Sequence, residues 1–392
     1  MNQTGQNRRI YVPMRGIASA ASLFLAFWYS KELGVLNRSF LAVIMTTSIL
    51  CSIAFTSGAT FTLRALKVNG VSDALKKSFF TLVAIQGLLA FFTYSIALAI
   101  FSQFKDELPR QLILGALVYF IFSLLHLVML EVLLAADKFK KVGHLEVLTV
   151  FSQIILYFGL SFFSHISVAS RVLLSLTISY FLICIYVTHI LDFKPFFGYK
   201  SPREFWKLTR GRNSLGTVLG ILDRADRIII AWTLPTINTG QYAVMGSILG
   251  FFRFIPDAIS KIIVSGRIAF LVRVVRVKVL VGLGLILSLI ILTATSQIVI
   301  NYYLGAEWLL PWWISLLFGA QEIVRGTFQV VQNERLSKLS GQNSRLHFLL
   351  LGTNVGLAFL LSHTLGLVGV PLGFLLGYCF SLIWISRGRR IG

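Results

Sequence analysis

The sequence is poor in charged residues, and poorest in acidic ones. Of its 392 residues 13% are charged and 56% are hydrophobic, whereas about a quarter of the residues of a soluble domain are charged. Only 15 are Asp or Glu, against 36 Lys or Arg, so the formal net charge is +21. This composition excludes a disordered chain and an ordinary soluble enzyme. A nucleic-acid-binding protein is also disfavoured, because it needs a solvated basic face. The remaining class is an integral membrane protein.

Residues and motifs that support catalysis or metal binding are also missing. The three cysteines lie within apolar runs, and the six histidines show no ligand spacing, so we predict neither a disulfide nor a metal site. The sequence contains no phosphate-binding loop, no nucleophile elbow and no paired catalytic carboxylates. We therefore predict that the protein is not an enzyme and binds no cofactor.

Long apolar runs are abundant, and about 20 apolar residues suffice to cross a bilayer as a helix. The pattern predicts an all-α integral membrane protein with about twelve transmembrane helices arranged as two six-helix bundles. The predicted spans are 10–30, 40–63, 78–104, 108–135, 142–164, 168–191, 213–234, 240–265, 279–301, 308–332, 345–364 and 366–386.

The basic residues alternate with these spans. With the N-terminus placed in the cytoplasm, 26 of the 36 Lys and Arg residues lie on inward segments, five on outward segments and five within spans. Cytoplasmic loops of membrane proteins carry such an excess of Lys and Arg. The alternation predicts a multi-pass protein with both termini in the cytoplasm.

The longest predicted loop divides the chain into halves. It is basic and contains Pro195 and Pro202. We predict an N-terminal six-helix bundle at 1–192, a basic cytoplasmic linker at 193–212 and a C-terminal six-helix bundle at 213–392. Two similar bundles joined in this way are typical of transporters, whose substrate path lies between the halves near the bilayer midplane.

Ionisable residues within the spans are the candidate functional residues, because each costs about 2.5–3.5 kcal/mol near a helix centre on insertion scales. On a continuous helix Asp223, Asp226 and Arg227 share one face. An excess of arginine favours a phosphate-bearing ligand, but carboxylate–arginine pairs also suit a proton or sodium relay, or structural salt bridges. The predicted cavity and substrate-binding residues are Arg15, Asp223, Arg224, Asp226, Arg227, Arg253, Asp257, Glu322 and Arg325.

Three short stretches carry a family resemblance. They are Lys31–Gly34 leading to Phe40, the segment from Leu219 to Leu249 with its Asp226-Arg227 and Gly240-Gln241-Tyr242, and Leu365–Val370. Together they resemble the polysaccharide flippases (the Wzx or RfbX type) of the MOP superfamily.

The resemblance implies a MOP/MATE-like fold and a specific transport activity. It implies movement of undecaprenyl-pyrophosphate-linked oligosaccharide across the bacterial inner membrane by alternating access, for O-antigen, capsule or exopolysaccharide synthesis. The implied partners are the lipid-linked oligosaccharide, membrane lipid and a polysaccharide polymerase, with no nucleic acid, and the implied coupling ion is H⁺ or Na⁺. Another ion-coupled exporter of this superfamily remains an alternative. A membrane polysaccharide polymerase or ligase fits less well, because no outward loop is long.

Overall fold

The computed structural model describes residues 3–67, 70–104, 108–190, 198–250, 277–337 and 344–388. Every regular element in these ranges is helical, as the sequence predicts. The α-helices are α1 (Gln3–Leu66), α2 (Asp73–Phe104), α3 (Arg110–Ala135), α4 (Phe139–Ser161), α5 (Val168–Ile190), α6 (Arg203–Leu222), α7 (Ala225–Thr233), α8 (Thr236–Leu249), α9 (Val277–Tyr303), α10 (Trp312–Ser337), α11 (Ser344–Leu365) and α12 (Gly369–Gly388).

The lengths and compositions of the helices fit a membrane protein. Within the described ranges six helical segments are long and apolar enough to cross a bilayer. Two of them, Ile10–Arg64 and Phe348–Ile383, each cover most or all of two predicted spans. Large apolar side chains such as Leu114, Ile155 and Ile298 are exposed. Exposed apolar side chains on this scale are unfavourable in water and favourable against lipid, so the fold is that of a multi-pass membrane protein.

Helix α1 is two helices joined at one glycine. Gly34 has φ 69° and ψ 168°, a backbone conformation that is essentially confined to glycine. The break lies between the predicted spans 10–30 and 40–63, but the residues on either side of it are helical rather than a loop.

The first of two compact units comprises Met1–Leu25, Phe40–Arg224 and Ser340–Phe348. Within it α3 packs against α5, and α5 packs against α4. Helix α6 lies close to the second half of α1, because a Cβ on Gly216 would lie 3.1 Å from the backbone nitrogen of Gly58. The Thr217 hydroxyl donates to the Ala54 carbonyl at 2.8 Å in the same contact.

The second compact unit comprises Ala26–Ser39, Ala225–Leu339 and Leu349–Gly392. Helix α8 contacts α7, α9 and α10, and α12 contacts α7 and α10. Small residues allow close packing here as well, since Gly377 of α12 faces Asn354 of α11. The Asn354 side chain donates to the Ser381 hydroxyl at 3.1 Å.

Two features of the chain differ from the sequence prediction. The predicted span 213–234 is not one helix, because α6 ends at Leu222 and α7 begins at Ala225. Residues 203–212 of the predicted linker form the first half of α6. The two six-helix bundles and their linker remain a prediction. The chain passes between the two compact units after Leu25, Ser39, Arg224, Leu339 and Phe348.

Candidate functional site

A buried group of charged residues lies in the second unit. Arg325 Nη2 lies 3.2 Å from Asp226 Oδ1, and Arg325 Nη1 lies 3.4 Å from Asp226 Oδ2 and 2.6 Å from Glu322 Oε1. The exposed fractions of the three residues are 0% for Asp226 and 1% for Glu322 and Arg325. The guanidinium group therefore bridges two buried carboxylates, a geometry that suits the planar, forked donor set of arginine.

Tyr242 and Gln321 complete the polar surroundings of Asp226. The Tyr242 hydroxyl lies 3.1 Å from Asp226 Oδ2 and 3.4 Å from Gln321 Oε1. The Gln321 amide donates to Asp226 Oδ2 at 3.4 Å. We call Asp226, Tyr242, Gln321, Glu322 and Arg325 the Asp226 cluster. Tyr242 and Gln321 are not among the site residues predicted from the sequence, although Tyr242 lies in the Gly240-Gln241-Tyr242 stretch that carries the family resemblance.

Local sequence positions these groups. Asp226 lies in the first turn of α7, where the helix dipole favours a carboxylate. Glu322 and Arg325 are three residues apart on α10, so their side chains share one face. Aromatic rings pack against the cluster. The ring centres of Phe318 and Tyr242 lie 4.4 Å apart, and Arg325 Cζ lies 6.0 Å from the Tyr378 ring centre.

Two further arginines in the second unit lie near the cluster. Arg227 interacts electrostatically with Asp226 and with Arg38. Arg38 is 8% exposed, and its Nε is buried without a hydrogen-bond partner. Arg38 is one of the five basic residues that the sequence assigns to outward segments, but it lies in α1 and is buried. With Arg38 and Arg227 included, the three arginines exceed the two carboxylates by one positive charge.

The other described candidates lie in the first unit. Arg15 is partly buried and donates to the Tyr11 hydroxyl at 2.8 Å. Arg224 Nε lies 3.3 Å from Asp223 Oδ2. Because the helix is interrupted at Asp223 and Arg224, the continuous helical face predicted for Asp223, Asp226 and Arg227 does not form. The remaining two candidates, Arg253 and Asp257, lie outside the described residues.

Among the candidate site residues, those of the second unit form the best-defined group. Asp226, Glu322 and Arg325 were predicted from the sequence, and the structure brings them into direct contact. Carboxylate and hydroxyl oxygens beside guanidinium groups can bind a cation or proton on one side and an anion on the other. This chemistry is compatible with each of the transport alternatives left open by the sequence.

No protein-family model matches the sequence, and no curated protein matches it. Solved structures do match its fold along almost the whole chain. The eukaryotic MATE transporter AtDTX14 has a TM-score of 0.65 at 15% identity, with 98% of this chain and 96% of that chain covered. A mutant of the MATE transporter VcmN from Vibrio cholerae has a TM-score of 0.63 at 13% identity, with 100% and 99% covered.

A third structure with this fold is a MOP superfamily transporter from Pyrococcus furiosus, which has a TM-score of 0.55 at 14% identity. The reverse polarity of its binding pocket is said to suggest a different function for that transporter. The match covers 99% of this chain and 96% of that chain. At these identities the likeness concerns the fold, and the chain therefore has the fold of MATE transporters of the MOP superfamily.

Proposed function

We propose that the protein is a membrane transporter that works by alternating access. The observation that carries this proposal is the match of the whole chain to the fold of MATE transporters. A group of buried charges within a membrane fold adds support, since such groups are costly unless they face one another or a pathway for polar solutes. We place the protein in the bacterial inner membrane with both termini in the cytoplasm, because the distribution of basic residues favours that orientation.

We further propose that the substrate is an undecaprenyl-pyrophosphate-linked oligosaccharide that is flipped for surface polysaccharide synthesis. Supporting this, the two buried carboxylates of the second unit are accompanied by three arginines, of which Arg38 and Arg325 are buried and Arg227 is half-buried, and Arg38 Nε is buried without a hydrogen-bond partner. Arginine keeps its charge in a low-dielectric environment and binds phosphate oxygens with two donors. The three stretches that resemble polysaccharide flippases point to the same substrate class.

The second candidate is an ion-coupled exporter of the same superfamily with another substrate. The observation that favours it is the group of oxygen atoms around Asp226, which includes the Tyr242 hydroxyl at 3.1 Å. A buried carboxylate with neutral oxygen neighbours suits a coupling proton or Na⁺. In this case the arginines hold the carboxylates in place rather than contacting the substrate.

The test is the amount of surface glycan made by the native host with the protein, without it, and with variants of it. If the arginines bind the pyrophosphate, R38A and R227A reduce surface glycan at unchanged protein levels, and R38K and R227K retain part of it because charge is kept while the fork of donors is lost. R110A is the matched control, because Arg110 is an exposed arginine at the first residue of α3.

The outcomes separate the two candidates. Normal glycan in R38A and R227A at wild-type abundance would remove the anion-binding role of these arginines. Glycan that is independent of the protein altogether, together with export of an unrelated solute, would favour the second candidate.

A further inference from the structure

The first unit contains a groove whose lining includes none of the candidate site residues described above. The groove has a volume of about 730 Å³ and lies between α1, α4 and α5. Its walls are mainly apolar, and its basic residues come from the start of α4. The residues used below are Ile17, Lys140, Lys141, His144, Leu148 and Phe151.

One face of α4 supplies most of the groove. Lys140, Lys141, His144, Leu148 and Phe151 are all exposed, and at 100° per residue they fall within about 100° of one another around the helix. The opposite face of α4 is buried, and at the edge of the groove Gly143 allows Met14 of α1 to approach within 3.0 Å of the position of a Cβ. The groove is therefore bounded by a close contact between helices.

Charge and apolar surface are separated along this face. Lys140, Lys141 and His144 lie in the first turns of α4, whereas Leu148 and Phe151 follow them toward its middle. From Lys140 to Phe151 the helix rises about 16 Å, close to half of the roughly 30 Å hydrocarbon thickness of a bilayer. A phospholipid in one leaflet extends over a similar depth and has the same order of parts, a charged headgroup followed by apolar acyl chains.

Among the described residues, no acidic side chain forms an ion pair with Lys140, Lys141 or His144. Asp137 lies 3.8 Å from Lys67 in an ion pair. Glu146 lies about 140° around α4 from Lys141, toward the buried side. Burial and the neighbouring Lys141 lower the pKa of Lys138, which shows how closely these lysines are crowded. An anion placed at this end of the groove relieves their mutual repulsion.

We propose that the groove is a binding site for one anionic phospholipid. Lys140, Lys141 and His144 contact the phosphate of its headgroup, and an acyl chain lies along Ile17, Leu148 and Phe151. A soluble phosphate would use only the basic end, so the apolar length of the groove favours the lipid. This site does not depend on the identity of the transported substrate.

The test measures lipid retention by the full-length protein purified in a neutral detergent. Phosphatidylglycerol and phosphatidylcholine with identical acyl chains are added, and bound lipid is counted by native mass spectrometry. We expect wild-type protein to retain phosphatidylglycerol preferentially. K140Q/K141Q is expected to weaken that retention roughly 30-fold, because each lysine near a membrane surface contributes about fivefold to the attraction of anionic lipid.

Matched variants separate this site from general attraction of lipid to basic residues. R203Q/K207Q removes the same charge from exposed positions on α6 outside the groove and is expected to retain lipid normally. L148W fills the groove with both lysines in place and is expected to lower retention, whereas I155W, on the same face of α4 but outside the lining, is expected not to.

Three results of the retention measurements would overturn the proposal: equal retention of the two lipids by wild type, normal retention by L148W, and equal losses in K140Q/K141Q and R203Q/K207Q. If K140Q/K141Q fails to fold, the comparison of L148W with I155W decides the question on its own. Inorganic phosphate that displaces phosphatidylglycerol completely at equal concentration would indicate an anion site without a lipid component, which also contradicts the proposal.

Discussion

Replacing Arg325 by glutamine tests the Asp226 cluster most sharply. The change removes the guanidinium donors that lie 2.6–3.4 Å from Asp226 and Glu322, and it leaves two carboxylates that are at most 1% exposed. Removing one partner of a buried ion pair costs about 3–5 kcal/mol. We therefore expect R325Q to lose about 3–5 kcal/mol of unfolding free energy.

Two other variants give smaller expected losses of unfolding free energy, with which the loss in R325Q is compared. R325K keeps the charge but cannot present two coplanar donors, so an intermediate loss is expected. E322Q keeps an oxygen that accepts from Arg325 Nη1 and leaves the contact with Asp226 intact, so a loss of about 1 kcal/mol is expected. The assay is SDS-induced unfolding in mixed micelles, followed by the fluorescence of the seven tryptophans.

The double variant D226N/R325Q gives the decisive comparison. Because both charges of the pair are removed together, its loss is expected to fall short of the sum of the single losses by about 2 kcal/mol, within the range seen for directly contacting residues. The reasoning is refuted if R325Q loses less than about 1 kcal/mol, or if the effects of D226N and R325Q simply add.

Three further variants test the packing by the same unfolding assay. G34A is expected to lose about 1–3 kcal/mol because its φ of 69° and ψ of 168° strain any other residue; wild-type stability would contradict the break at this position. G240V places a Cβ 2.5 Å from the Val35 carbonyl oxygen and should cost about 1–3 kcal/mol of unfolding free energy. The control G352V should cost little, because nothing lies within 4 Å of the position of its Cβ. Equal losses in the two variants would refute this packing. N354A removes the hydrogen bond to Ser381, and a loss of about 1 kcal/mol is expected; no loss would show that the bond does not hold α11 to α12.

Hydropathy predicts the helices well because a helix needs about 20 apolar residues to span the hydrocarbon layer. It predicts their interruptions poorly. The stretch around Lys31 and Arg38 is polar enough to be taken for a loop, yet Gly34 alone breaks α1. Conversely, the interruption at Asp223 and Arg224 lies within the predicted span 213–234, which was expected to be one continuous helix. Averaged hydropathy does not detect a backbone change at one or two residues.

The candidate site was predictable only in part. Glu322 and Arg325 stand three residues apart, so their pairing follows from helical periodicity. The contact of Asp226 with Arg325 joins residues 99 positions apart, and no local pattern encodes it. Tyr242 was missed because a tyrosine in an apolar run is usually a packing residue. Arg38 was missed because its charge suggested a loop, whereas helix packing buries it.

We infer that a protein with this MATE-like fold, in which three arginines accompany two buried carboxylates, transports an anionic lipid-linked substrate. The most direct measurement is translocation by purified protein in liposomes, with a fluorescent undecaprenyl-pyrophosphate-linked oligosaccharide on one side and a cationic dye as the competing cargo. The account predicts protein-dependent translocation of the oligosaccharide that falls at least tenfold in R227A and is unchanged in R110A. Export of the dye with no movement of the oligosaccharide would contradict it.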